Sequence, residues 1–211
     1  MIGARERGNE GGRMLDRIVN FSDAVFAIVI TLLVLDIRVP QIPPALVSQE
    51  LPGQILDLSP KFLSYAISFL VIAIYWQAHH RVFRPIRSYD RTLLWLNFLF
   101  LMAISFLPFP TSLLGEYAGE QLSVAIYAAN AATASLLLVS ISWYATSGHR
   151  LVAPDSVDDE AERLQRMQAL AVPAVFLLSI GISFFSSTAA MYSWLLLTIT
   201  DPIIRRVRSR Q

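Results

Sequence analysis

Four stretches of this chain hold no Asp, Glu, Lys or Arg: residues 62–80, 92–115, 121–149 and 167–200. A hydrocarbon core of about 30 Å is crossed by about 20 mostly apolar residues in a helix. Inside lipid the backbone must satisfy its own N–H and C=O groups, which an α-helix does. The pattern therefore predicts an all-α protein that crosses a membrane several times. The first three stretches suit one span each. The last has 34 residues and as one helix would be ~51 Å long, which is too long for one crossing. It predicts two spans with a turn near Ser186 and Ser187, although no Gly or Pro marks the place. A shorter apolar run, Ala24 to Leu35, is bracketed by Asp23 and Asp36. It spans if its polar ends face protein or water. The expected spans are six, at about 18–37, 61–82, 90–112, 120–146, 167–185 and 188–206.

The basic residues support that count. With a cytoplasmic N-terminus, the inside segments carry Arg5, Arg7, Arg13 and Arg17, then Arg81, Arg84, Arg87 and Arg91. Arg150, Arg163 and Arg166 follow, then Arg205, Arg206, Arg208 and Arg210. These are fifteen of the seventeen Lys and Arg, and only Arg38 and Lys61 fall outside. Such asymmetry in short loops sets orientation. Five spans would put the Arg-rich tail outside. The N-terminal run also invites a signal-peptide reading, but it ends in Asp36-Ile37-Arg38 without a small-x-small cleavage site, and five more spans follow. The expected orientation puts both termini in the cytoplasm.

Composition narrows the class further. Hydrophobic residues make up 55% and charged residues 16% of the chain, with no Cys and a net charge of +1. That excludes a disordered chain, a disulfide scaffold and a nucleic-acid binder. Residues 1–16 read as an N-terminal tail, 17–206 as one membrane domain and 207–211 as a basic tail. The segment Val39 to Pro60 holds five of the eleven prolines and reads as an external loop with a short helix around Gln54–Leu58. The loop of residues 147–166 is cytoplasmic, and its acidic run caps and solvates the start of span five.

The costly residue is Asp23. A carboxylate inside a span is a functional-site candidate by default. Arg17 lies ~9 Å away along the same helix but on another face, so Asp23 must find partners on neighbouring helices. Candidates are Trp76, His79 or His80 at the end of span two, and Trp95 or Asn97 in span three. Two readings stand: a polar network that fixes the first helix, or a direct role in moving ions or protons. Beyond Asp23, Ile28, Thr31 and Leu35 share one helix face, with Leu32 beside them and Ala24 and Phe21 continuing the stripe inward.

The run Arg17-x-x-x-Phe21-Ser22-Asp23, followed by Ala24 to Leu35, resembles the opening of the first helix in the transmembrane protein 175 family, the lysosomal potassium channels and their prokaryotic relatives. A second match is Leu94-Trp95-Leu96-Asn97-Phe98 through Leu107-Pro108-Phe109-Pro110, with Gly115-Glu116-Tyr117 after it. The resemblance implies a homotetramer of six-helix subunits, with the first helix of each lining a central pore. It implies a constriction of apolar side chains, with Ile28 at the narrowest ring, Thr31 one turn outward, and Leu32 and Leu35 extending the lining. It also implies an interhelical network around Arg17, Phe21, Ser22 and Asp23, for which His79, His80, Trp95 and Asn97 are the expected partners.

On these terms the chain is expected to be a potassium-selective channel without a cofactor or bound metal, potassium being the permeant ion. An apolar ring gates by dewetting. Asp36, at the outward end of the first helix, either adds to the negative helix C-terminus and attracts cations or pairs with Arg38 in a solvated rim. The competing function is a proton- or ion-coupled secondary transporter using Asp23 and the histidines. Against it, no pair of Gly- or Pro-broken helices recurs in matching halves. An enzyme is not expected, because no span pairs a nucleophile with a base and no His/Glu cluster has metal-ligand spacing.

Overall fold

A computed structural model describes residues 2–152, 170–187, 189–190 and 192–194. It is all helical. Helix α1 spans Ile2–Leu32 and tightens into a 3-10 turn at Leu33–Asp36. After a second 3-10 turn at Pro44–Leu46 come α2 (Val47–Asp57) and α3 (Ser59–Phe83). Next are α4 (Arg91–Phe106), α5 (Pro108–Glu116), α6 (Gln121–Thr146) and α7 (Ala171–Ser183). Among the described residues four helical segments are long and apolar enough to cross a membrane: Gly12–Asp36, Ser59–Phe83, Arg91–Glu116 and Gln121–Thr146. They coincide with the first four expected spans.

The fifth expected span is described from residue 170 onward, with its apolar helix at Val172–Ser183. The sixth lies mostly outside the described residues. The chain leaves helical geometry at 184–186 and resumes helix at 187. Here the Ser186 hydroxyl caps the new helix by accepting from the Ala189 N–H at 3.2 Å. A serine cap does the work that Gly or Pro was not present to do.

Two local differences from the sequence reading come from proline. The third span is a kinked pair, α4 and α5, because Pro108 lacks an N–H and its ring crowds the preceding turn. The kink leaves Leu107 bonded back to Ile104 O at 3.1 Å. The short helix expected around Gln54–Leu58 begins earlier, at Val47, and continues through Pro52.

The core follows from helical spacing. On α1 the buried stripe is Ile18, Ser22, Phe26, Val29 and Leu33, at steps of three and four. On α4 it is Leu93, Asn97, Phe100 and Ile104. On α6 the buried face is small, with Ala128, Ala131, Ala132, Ala134 and Ser135. Small residues let backbones approach closely in a membrane, where no hydrophobic force drives helices together. The α3–α6 seam adds polar contacts: the Tyr75 hydroxyl donates to Ala131 O at 2.5 Å and Ser68 Oγ donates to the Tyr127 hydroxyl at 3.2 Å.

The loops that follow α3 and α6 are tied to one another. An antiparallel bridge joins Ile86 to Val152, and Leu151 O accepts from Arg87 N at 2.8 Å. Asp90 caps α4, accepting from Leu93 N at 2.8 Å, while the Tyr144 hydroxyl at the end of α6 donates to its other oxygen at 2.5 Å. The Arg150 guanidinium stands 4.9 Å from the Tyr144 ring centre. Partial desolvation pushes the Asp90 carboxyl up, but the Leu93 N–H and the Tyr144 hydroxyl outweigh it and hold it below the usual carboxylate range.

Candidate functional site

The Ser22-Asp23 pair faces α3 and α4 because it continues the buried stripe of α1. Ser22 is wholly buried. Its Oγ donates to Ile18 O at 2.9 Å, a back-bond that uses its only hydrogen. The oxygen then accepts from Asn97 Nδ2 at 3.1 Å. Asn97 Oδ1 in turn accepts from His79 Nε2 at 3.0 Å. This order requires the proton of His79 on Nε2, since an amide oxygen only accepts. Nδ1 of His79 is buried with no hydrogen-bond partner among the described residues. The imidazole is held by rings instead, stacked on Phe83 at 4.3 Å and on Phe100 at 5.7 Å between centres.

Asp23 takes a different pair of partners. Its Oδ1 accepts from Trp76 Nε1 at 2.9 Å and from His80 Nε2 at 2.9 Å. Trp76 and His80 are four residues apart and therefore lie on one face of α3. The adjacent His79 points elsewhere, into the core. The two chains of hydrogen bonds together fix the rotation of α1 about its own axis, one through α4 and one through α3.

Of the expected residues, the structure thus brings together Ser22, Asp23, Trp76, His79, His80 and Asn97. It does not bring in the other three by hydrogen bonds. Trp95 is exposed and meets Phe98 edge-on at 6.1 Å. Asn97, two residues on, takes the inward position that Trp95 cannot share. Phe21 is also exposed and edge-on to Phe98 at 6.1 Å. Arg17 is exposed and forms no hydrogen bond or ion pair among the described residues; it lies on a different face of α1 from Asp23.

The opposite face of α1 is bare. Ile28 is 57% exposed, Leu32 43% and Leu35 68%, while Phe26, Val29 and Leu33 between them are each 2% exposed. Thr31 shares the bare face and its Oγ1 donates to Ile28 O at 2.8 Å. The hydroxyl oxygen keeps its acceptor capacity. Asp36, at the end of the 3-10 turn, accepts at Oδ1 from Ser112 Oγ at 2.6 Å. Ser112 carries no sequence signal that distinguishes it from any hydroxyl in an apolar helix. Among the described residues no group of three or more His, Cys, Asp or Glu is placed to hold a metal.

This is a multi-pass helical membrane protein whose first helix is pinned on one face by polar bonds and is apolar and exposed on the other. Comparison with known proteins places it. The profile of the family described as endosomal/lysosomal potassium channel TMEM175 matches residues 17–108. A protein of Streptomyces collinus named a potassium channel is 36% identical over 85% of this chain and 85% of its own length. Another from Chamaesiphon minutus, also named a potassium channel, is 33% identical over 88% of this chain and 90% of its own. The crystal structure of a lysosomal potassium-selective channel TMEM175 homolog from Chamaesiphon minutus superposes with a TM-score of 0.78 at 29% identity, covering 90% of this chain and 97% of that one. The chain belongs to the TMEM175 family, a family of ion channels and not of enzymes.

Proposed function

We propose that this chain is one subunit of a homotetrameric potassium-selective channel whose pore is lined by α1. The observation that carries the reading is the bare stripe of α1. Ile28, Thr31, Leu32 and Leu35 are exposed on a helix whose other face is engaged by α3 and α4, and this stripe lies within the residues 17–108 that match the potassium-channel family. The names of the bacterial relatives support potassium as the ion.

In this reading four Ile28 side chains form the narrowest ring. When they are close they exclude water, and a small tilt of α1 admits it. An ion passing the ring sheds part of its hydration shell. Potassium holds its water less tightly than sodium does, so the ring favours potassium. The acceptor oxygen of Thr31 replaces some of the lost water. The C-terminal end of each α1 carries roughly −0.5 charge, and Asp36 beside it adds to the attraction of cations toward the outer mouth. The basic inner loops set both termini in the cytoplasm, in the inner membrane of a bacterial cell.

Purified protein in a planar bilayer between potassium and sodium solutions tests the proposal. Expected are single-channel currents with a reversal potential on the potassium side, and current without stoichiometric coupling, which a secondary transporter would not give. Ile28→Asn is expected to raise conductance and move the reversal potential toward zero. Unchanged selectivity in that variant removes Ile28 from the constriction.

A further inference from the structure

The outer end of α1 is held in a way the motif network does not account for. In a 3-10 turn residues three apart eclipse one another, so the turn at Leu33–Asp36 places Asp36 over Leu33. Leu33 is 2% exposed, whereas Leu35 is 68% exposed. Continuing the helix as a 3-10 turn thus directs Asp36 toward α3 and α5, against which the turn packs, and away from the bare face. There it meets Ser112 at 2.6 Å in a half-buried hydrogen bond.

Ser112 stands on a block that has little freedom. Thr111 Oγ1 of α5 lies 2.8 Å from Ser68 Oγ of α3. Lys61 Nζ of α3 lies 2.6 Å from Glu116 Oε2 of α5. At Gly115 the two helices touch: a Cβ there would lie 2.7 Å from Ser64 Oγ and 3.3 Å from Lys61 Cα. Between Asp23 and Asp36, by contrast, Thr31 is the one polar side chain, and it bonds to its own helix. The apolar segment of α1 is therefore suspended between two polar clamps, Ser22-Asp23 at the inner end and Asp36–Ser112 at the outer.

We propose that the Asp36–Ser112 hydrogen bond is an outer latch that holds α1 back from the pore axis, which makes Ser112 a positioning residue for the outer lining at Leu32 and Leu35. The proposal rests on α1 lining the pore. It assigns Asp36 a geometric task separate from its charge. Without the latch the outer turn swings toward the axis and narrows the mouth.

The test uses the full-length channel in bilayers and the absence of Cys from the chain. Leu35→Cys comes first. Its modification by an external, membrane-impermeant thiol reagent is expected to block the current; if the current is untouched, α1 does not line the pore and the pore reading fails. In a Leu32→Cys background, Ser112→Ala is expected to slow external modification and lower the open-to-closed ratio, each by about tenfold, the size of one charge-assisted hydrogen bond lost from one state. Ser112→Thr, which keeps the hydroxyl, restores both. Asp36→Asn keeps a neutral acceptor for Ser112, so it lowers conductance at low salt and slows modification only in part, whereas Asp36→Ala slows it in full. If Ser112→Ala fails to assemble, the comparison of Asp36→Ala with Asp36→Asn decides. The latch is overturned, with the pore intact, if Leu35→Cys blocks but Ser112→Ala modifies at the unaltered rate, or if Asp36→Asn slows modification as much as Asp36→Ala.

Discussion

Asp23 accepts two hydrogen bonds on one oxygen, from Trp76 and His80, and both donors come from the same face of α3. Removing the carboxylate strands two donors at once. Hydrogen bonds between membrane helices average about 0.6 kcal/mol and reach about 1.7, so Asp23→Ala is expected to destabilise the subunit by about 1–2 kcal/mol. Trp76→Phe removes one donor and is expected to cost about half as much. The double variant falls short of the sum, since both changes break the same bond. Thermal unfolding in detergent, followed by size exclusion, measures all three. Additive losses would separate Trp76 from Asp23. That Asp23 takes partners on a neighbouring helix was legible from the cost of a carboxylate in a span. Which partners it takes was not, because the sequence leaves the rotation of α3 against α1 open. The i, i+4 spacing of Trp76 and His80 was the available signal: two donors on one face can reach one acceptor, and the adjacent His79 cannot join them.

At the scale of elements, helix ends and kinks carry what hydrophobic periodicity leaves unsaid. The spans were readable as charge-free runs, and the division of the last run near Ser186 was readable from length alone. The latch was not readable, because Ser112 and Asp36 lie far apart in sequence and the 3-10 turn that aims the carboxylate has no residue signature. Asp90 is intermediate. An Asp directly before an apolar helix is a recognisable cap, whereas the tie through Tyr144 to the end of α6 needed the fold. Because its folded pKa is depressed, the contribution of Asp90 is complete above the ordinary carboxylate range, falls as the pH drops through that range, and is gone below the lowered folded value. Asp90→Ala is expected to cost about 1 kcal/mol at pH 7, and the gap in unfolding temperature between it and the native chain is expected to close in strong acid. A gap that stays constant down to that range would assign the loss to packing and not to the cap.

For the whole molecule, the bare face of α1 is where subunit and assembly meet. Its residues are too apolar to face water alone, and in a monomer they would merely face lipid. The distinction is whether the permeation path belongs to one subunit or to all of them. If four α1 helices share the ring, a channel assembled from mixed subunits carries a mixed constriction. Co-expression of the native chain with Ile28→Asn is therefore expected to yield graded conductance classes, one more than the number of subunits, with occupancies that follow the mixing ratio. Cross-linking of the purified protein should end at the same number. A pore contained within each subunit would instead give two classes, native and variant, at every ratio. The graded pattern ties the ring at Ile28 to the stoichiometry in a single measurement: the number of steps between classes counts the helices around the ion, and the size of each step reports how much one isoleucine contributes to excluding water.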